Sequence, residues 1–198
     1  MQKRSQKFLE RKEIETLIGS IKPEGYYNLR DRALFEVLWS TGLRIAECLA
    51  LPDAPFIKEI KETIELSITG KGGYTRPVYF SLQALRAIKA YLAVRKDSET
   101  LLFPFTIRRA QQIVKDRALD AGFEEVHPHS VRHSYACNML KNGVNLYYLK
   151  EFLGHHSLSS TQQYLHFTNR DLLEVHKNIY GNKQGKSKTT EKKLLLEE

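Results

Sequence analysis

Residues 127–166 read HPHSVRHSYACNMLKNGVNLYYLKEFLGHHSLSSTQQYLH. Pro128 suits the first turn of a helix, where its missing N–H would have had no partner in any case, and the pattern runs on to Asn142. Gly143 closes that helix. Asn145 caps a short second one with Leu146, Leu149, Phe152 and Leu153 turned inward, and Gly154 breaks it. Ser157 to Ser160 form a polar turn into the segment that holds Tyr164. His129 and Arg132 stand three apart at a helix start and so share a face. His155 follows Gly154 directly, and Tyr164 comes nine residues after it.

Upstream, Thr106 can cap a helix from Ile107 to Ala121, closed by Gly122, with Arg108, Arg109, Lys115 and Arg117 on its face. Ser81 can cap another, in which Leu82, Leu85, Ile88 and Leu92 repeat at helical spacing. Before Ser81 the period changes. Thr63 to Ile68 alternates apolar and polar, which predicts a half-buried strand. Gly70–Gly73 is a turn, and Tyr74 to Phe80 is a returning strand in which Pro77 marks an edge. Lys71 therefore falls at or near the tip of a β-hairpin. Arg44 to Leu51 reads as a helix stopped by Pro52, with Ile45, Cys48 and Leu49 inward and Arg44 in its first turn. Leu29 to Ser40 is apolar almost all round, as a central core helix is, and Gly42 is placed to end it. Glu13 to Ile21 is a short helix with Ile14, Leu17 and Ile18 on one face, punctuated by Pro23 and Gly25.

At the ends, residues 1–12 read as a linker or N-terminal extension, and residues 169–180 as a last helix with Leu172, Val175 or His176, and Ile179 on one face. Residues 181–198 form a basic tail whose composition predicts disorder. There is no internal repeat. The expected fold class is mainly α with a small antiparallel β-sheet, over a domain spanning 13–180.

The chain has 198 residues, enough for one moderate domain with a sizeable core. Its 41% hydrophobic and 27% charged content is that of an ordinary soluble protein. No apolar run approaches membrane-spanning length, and the basic start lacks the apolar stretch of a secretory signal. Cys48 and Cys137 fall in apolar helical patterns and read as reduced, buried side chains. Together these features predict a cytoplasmic protein with no membrane partner. The formal net charge of +8 invites a nucleic-acid reading. Its distribution weakens the inference. Residues 1–12 carry five basic and one acidic side chains, residues 177–198 six and three, and the body between them twenty and nineteen. The case for DNA therefore rests on where particular cations sit.

Taken singly, the candidate residues have ordinary explanations. An arginine near a helix start can pair with a carboxylate. A histidine there can cap the helix, and one after a helix-ending glycine can sit favourably near the carboxyl end of the dipole. A lone tyrosine is usually a core or interface residue. The histidines match no standard zinc spacing. Taken together, they are the groups needed to attack a phosphodiester. A planar guanidinium offers a fork to two phosphate oxygens, an imidazole moves protons near neutral pH, and a phenol supplies the nucleophile.

His129-x-x-Arg132, then Leu153-Gly154-His155, then Tyr164 resembles the signature of the tyrosine recombinase (phage integrase, Xer-type) family. Thr41-Gly42-Leu43-Arg44-Ile45-Ala46-Glu47 resembles its first arginine box. Thr69-Gly70-Lys71-Gly72-Gly73-Tyr74-Thr75-Arg76-Pro77-Val78 resembles its lysine hairpin. The resemblance spans about Phe8 to Tyr180. It implies the family's catalytic-domain fold and a site made of Arg44, Lys71, His129, Arg132, His155 and Tyr164. Tyr164 would attack the scissile phosphate to give a 3′-phosphotyrosyl intermediate. Arg44 and Arg132 would clamp the phosphate, and Lys71 would protonate the leaving 5′-oxygen. His129 would assist proton transfer, His155 would hydrogen-bond the phosphate, and Glu47 would orient the set.

Two arginines and a lysine supply the charge a metal would otherwise bring, so no cofactor, metal or ATP is expected. The implied partners are double-stranded DNA and three further copies of the chain, assembled as a tetramer on DNA from a monomer free in solution. Residues 169–180 would be the segment exchanged between protomers, the alternative being a helix packed on its own domain. The resemblance implies that relatives usually carry a separate N-terminal core-binding domain, which this sequence is expected to lack. The expectation is a catalytic fragment of a longer protein, with a short complete enzyme as the alternative. The loop Asp53–Phe56 departs from the usual family connection, and Tyr74 stands where relatives often carry a basic or polar residue. Two competing functions share much of the pattern: a type IB topoisomerase-like or telomere-resolving strand transferase, and a regulator that holds DNA without cutting it.

Overall fold

The computed structural model describes residues 8–57, 64–70, 73–155, 157, 159–162 and 164, and local chemistry accounts for where most of its elements begin and end. α1 (Arg11–Ser20) buries Ile14, Leu17 and Ile18, the face its spacing predicts. α2 (Gly25–Thr41) is buried on nearly every side. It starts four residues before the apolar run. Its first turns carry Arg30 and Asp31, which pair with each other at 2.6 Å, so charged residues are tolerated inside. It ends at Gly42, whose backbone is left-handed (φ 61°). A β-carbon there would lie 2.3 Å from Cδ1 of Tyr135, so the turn also needs the missing side chain.

α3 (Ile45–Leu49) is shorter than the apolar pattern suggests, and Arg44 is its cap residue rather than part of its first turn. The loop after it winds into α4 (Ala54–Ile57), because Phe56 turns inward and packs edge-on against Phe80 with centroids 5.1 Å apart. β1 (Ile64–Thr69) and β2 (Thr75–Phe80) pair antiparallel, with Ile64 opposite Phe80 and Ile68 opposite Arg76. Among the described residues both are edge strands of a two-stranded sheet, so the N–H missing at Pro77 costs no ladder bond. Thr63 and Lys71 lie outside the described residues.

α5 (Leu82–Val94) is capped by Ser81, whose side chain accepts from the Ala84 N–H at 3.2 Å. Leu85 and Ile88 are buried as expected, but Leu82 is exposed at the surface end of the helix and Tyr91 fills the core place one turn further in. α6 (Ile107–Asp120) is capped by Thr106. α7 (Pro128–Lys141) has Pro128 in its first turn, and His127 is its cap, with Nδ1 accepting from the Ser130 N–H at 3.2 Å. α8 (Leu146–Leu153) is capped by Asn145 and ends at the left-handed Gly154 (φ 62°). The polar turn after it tightens into α9 (Ser159–Gln162). The expected helix over 169–180 and the tail lie outside the described residues.

Two apolar clusters organise these elements. The larger takes in α1 to α6 and the inner face of β2, together with Val131 of α7. The smaller holds Tyr135, Ala136, Cys137 and Leu140 of α7, Leu149 and Leu153 of α8, and Tyr164. α7 thus forms the wall between them. Leu9, inside the stretch read as an extension, is 2% exposed and its N–H donates to Ser134 Oγ of α7 at 2.7 Å. Cys48 and Cys137 are buried free thiols. The expected class, mainly α with a small antiparallel sheet, is the class observed.

Candidate active site

The site grows from Glu47, one turn into α3. Its Oε2 accepts from the backbone N–H of Arg44 at 2.9 Å, which closes the start of the helix. Its Oε1 holds Arg44 Nη1 at 3.0 Å. From β2, Arg76 donates to both carboxylate oxygens, at 3.3 Å from Nη1 and 2.8 Å from Nη2. Arg132 Nη1, from the second turn of α7, is 3.9 Å from Oε2. Burial by itself would raise the Glu47 pKa. The hydrogen bonds from Arg76 and Arg44, with the Arg76 charge, outweigh it and bring the carboxyl down to about 2.

Arg132 is buried and held by two helix ends. Nη1 donates to Gly42 O and Nη2 to Leu153 O, each at 2.7 Å. These are carbonyls left without intrahelical partners at the ends of α2 and α8. Burial, and then the like charge of Arg44, lower its pKa to about 10, so it stays a cation at neutral pH. Nη2 also lies 3.3 Å from Nε2 of His155. Arginine has no acceptor, so it is the donor, and Nε2 carries no proton. Nδ1 of that neutral ring then carries the proton and donates to Thr161 Oγ1 at 2.9 Å. Burial and the charges of Arg132, Arg44 and Arg76 lower the His155 pKa to about 4, so the imidazole is neutral at pH 7.

Arg44, Arg132 and His155, expected from sequence, thus converge on one spot. His129 stands beside them on the first turn of α7, exposed on the surface. Partial burial, then the charges of His127, Arg132 and Arg44, lower its pKa. Lys71 lies outside the described residues. Tyr164 is placed differently from a group presented to a substrate. It is 4% exposed within the smaller apolar cluster, its ring 5.0 Å from that of His133. Burial raises its pKa, and the charge of Arg132 partly offsets this. Arg76 and Thr161 are members that the sequence reading did not single out. The signal for Arg76 was present: in Arg76-Pro77-Val78-Tyr79-Phe80 it shares the inward face with Val78 and Phe80. Nothing in the sequence marked Thr161.

Three guanidinium groups around one carboxylate, with a neutral imidazole, leave a net charge of +2 in a mostly dehydrated place. Such a place binds an anion strongly, because fixed donors in low dielectric need no reorganisation. Arg44 is the open arm, with a side chain 35% exposed against 7% for Arg132.

Among the described residues, a mainly helical domain with a small antiparallel hairpin has the architecture of the catalytic domains of integrase-type proteins. The chain belongs to the phage integrase family, whose model matches residues 7–170. Tyrosine recombinase XerC of Staphylococcus saprophyticus is 31% identical over 185 residues, covering 87% of this chain and 61% of that protein. Tyrosine recombinase XerC of Pelobacter propionicus is 37% identical over 164 residues, covering 77% and 53%. The crystal structure of XerH site-specific recombinase bound to palindromic difH substrate, a post-cleavage complex, superposes with a TM-score of 0.73. It is 26% identical and covers 87% of this chain and 53% of that one. The chain spans between half and two thirds of the length of these relatives. Among the described residues no helix is long and apolar enough to cross a membrane.

Proposed function

We propose that this chain is the catalytic domain of a site-specific tyrosine recombinase, which cuts and rejoins double-stranded DNA through a covalent tyrosine intermediate. The carrying observation is the convergence of Arg44, Arg132 and neutral His155 around Glu47. Arg44 and Arg132 receive the scissile phosphate and stabilise the charge that builds on its oxygens. Tyr164 Oη attacks phosphorus and the bond to the 5′-oxygen breaks. The phenol proton passes toward His129, and Lys71 gives a proton to the leaving 5′-oxygen. The products are a 3′-phosphotyrosyl bond and a free 5′-hydroxyl, whose attack in reverse rejoins a strand without ATP. His155 hydrogen-bonds the phosphate in its other neutral tautomer, with Nε2–H donating to a phosphate oxygen and Nδ1 accepting from the Thr161 hydroxyl.

The other family-level expectations stand with this reading: a monomer free in solution, a tetramer on DNA, a core-binding domain preceding residues 13–180 in the whole protein, and action on DNA in the cytoplasm. Cations at the site take the place of a metal. Tyr164 must leave its apolar seat to reach a phosphate, so DNA binding and exposure of the nucleophile are coupled.

The test is a pool of nicked duplexes with randomised sequence, incubated with the chain in EDTA and resolved by denaturing electrophoresis. A covalent protein–DNA adduct is expected, and Tyr164→Phe abolishes it. An adduct that survives this substitution removes Tyr164 as nucleophile. Arg132→Ala lowers the cleavage rate about 100- to 1,000-fold. It changes DNA affinity far less, because one phosphate contact among many carries little of the total. Equal losses in both count against its role in the transition state.

A further inference from the structure

Arg76 is the most buried of the three guanidinium groups, with a side chain 1% exposed. Its nitrogens are taken up by the protein: Nε donates to Phe152 O at 3.1 Å, and Nη1 and Nη2 donate to Glu47. It cannot touch a DNA phosphate without leaving this seat. The seat is shaped for it. A β-carbon on Gly154 would lie 2.6 Å from Nη1 and 2.9 Å from Cζ, and one on Gly70 would lie 3.0 Å from Glu47 Oε1 and 3.4 Å from Arg76 Nη1. Two glycines, on the hairpin and just before His155, thus leave room for one buried ion pair.

A buried pair of this kind contributes little net stability, since desolvation offsets attraction. Its effect here is on charge and aim. Among the described residues, the other cations at Glu47 are Arg44 at 3.0 Å and Arg132 at 3.9 Å. Without Arg76, the carboxylate would draw both of them inward and cancel the charge they offer an anion. With Arg76 in place it is neutralised by a cation that stays put. Arg76 also bonds the carbonyl of Phe152, three residues before His155, and so ties β2 to the end of α8.

We propose that Arg76 is a positioning residue, which fixes Glu47 and the end of α8 so that Arg44, Arg132 and His155 stay aimed at a phosphodiester. This role rests on the recombinase reading. The depressed Glu47 carboxyl, with the Arg76 hydrogen bond as the largest force lowering it, agrees with the geometry.

The test uses Arg76→Lys, which keeps the charge and loses the planar fork, and Arg76→Gln, which loses both. Melting curves establish the folded fraction of each. Arg76→Lys is expected to cleave the nicked duplex pool about 100-fold more slowly from the bound complex, as small misplacements of reacting groups do. Its affinity for the same DNA stays within about threefold, since the many phosphate contacts are untouched. A purely structural role would lower both in proportion to the folded fraction. In the DNA-free protein, carboxyl NMR of Arg76→Gln shows Glu47 titrating upward toward the ordinary carboxylate range. An unaltered chain that forms no adduct sinks the recombinase reading. An adduct from the unaltered chain with equal rates from Arg76→Lys overturns the positioning role. A Glu47 carboxyl that titrates at one pH in both proteins overturns it whether or not DNA is cut.

Discussion

His155 accepts a hydrogen bond from Arg132 and is surrounded by cations, so its neutral form is the stable one. This has a consequence for stability against pH. The ring titrates near 6.5 in an unfolded chain and near 4 in the folded one. Between those values the unfolded state binds more protons, so folding stability is full above about 6.5 and is lost as the pH falls toward 4. Glu47 acts in the next window down: its contribution is present above 4.5 and is lost as the pH falls toward 2. The expected result is a melting temperature that declines from pH 7 to 4. His155→Gln flattens that slope, and His129, whose pKa is lowered too, contributes to what remains. A slope identical in both proteins would show that His155 is not held neutral. At this scale the sequence was legible for residue type and order but not for state. Nothing local to His155 says that Arg132, twenty-three residues away, donates to it. Tyr164 reads as a nucleophile in sequence, yet it rests in an apolar cluster because its ring has more apolar surface to bury than its hydroxyl has polar surface to expose.

Glycines and caps set the element boundaries, and two glycines separate the reasons for doing so. Gly42 ends α2 in a left-handed turn that is also filled by Tyr135 of α7. Gly143 ends α7 at φ 82° in open space. Gly42→Ala is expected to cost about 3 kcal/mol, strain and overlap together. For a chain of this size that lowers Tm by about 6–12 °C. Gly143→Ala costs about 1 kcal/mol. Equal losses by thermal melting would mean that Tyr135 moves aside at no cost. Helix starts were readable because Ser81, Thr106 and Asn145 satisfy backbone N–H groups locally. The shortness of α3, the helical turn of α4 and the exposure of Leu82 were not readable. Each depends on which neighbour covers that end of the element.

Across the whole molecule, α7 joins the two clusters, and Trp39 packs against both. Trp39 is the one tryptophan in the chain, so its fluorescence reports on the joint between them. Thermal unfolding followed by Trp39 emission and by far-UV circular dichroism is expected to give coincident transitions, the mark of one cooperative unit. Separate midpoints would mean that the smaller cluster, with Tyr164, melts on its own. The charge picture also belongs to this scale. The body between residues 12 and 177 is nearly neutral, yet three guanidinium groups gather at one carboxylate. An overall charge could not have located that site.

The sequence by itself determined the class of fold, the order of the elements and the family boxes, because periodicity, caps and glycines act over a few residues and leave their mark in the chain. Only the tertiary structure decided that Glu47 is the centre of the site, that Arg76 rather than solvent neutralises it, and that Tyr164 is held out of reach. Those facts rest on contacts between residues as far apart as 47 and 76, 42 and 132, or 132 and 155. Burial and charge there are properties of what surrounds a side chain, which no local pattern records.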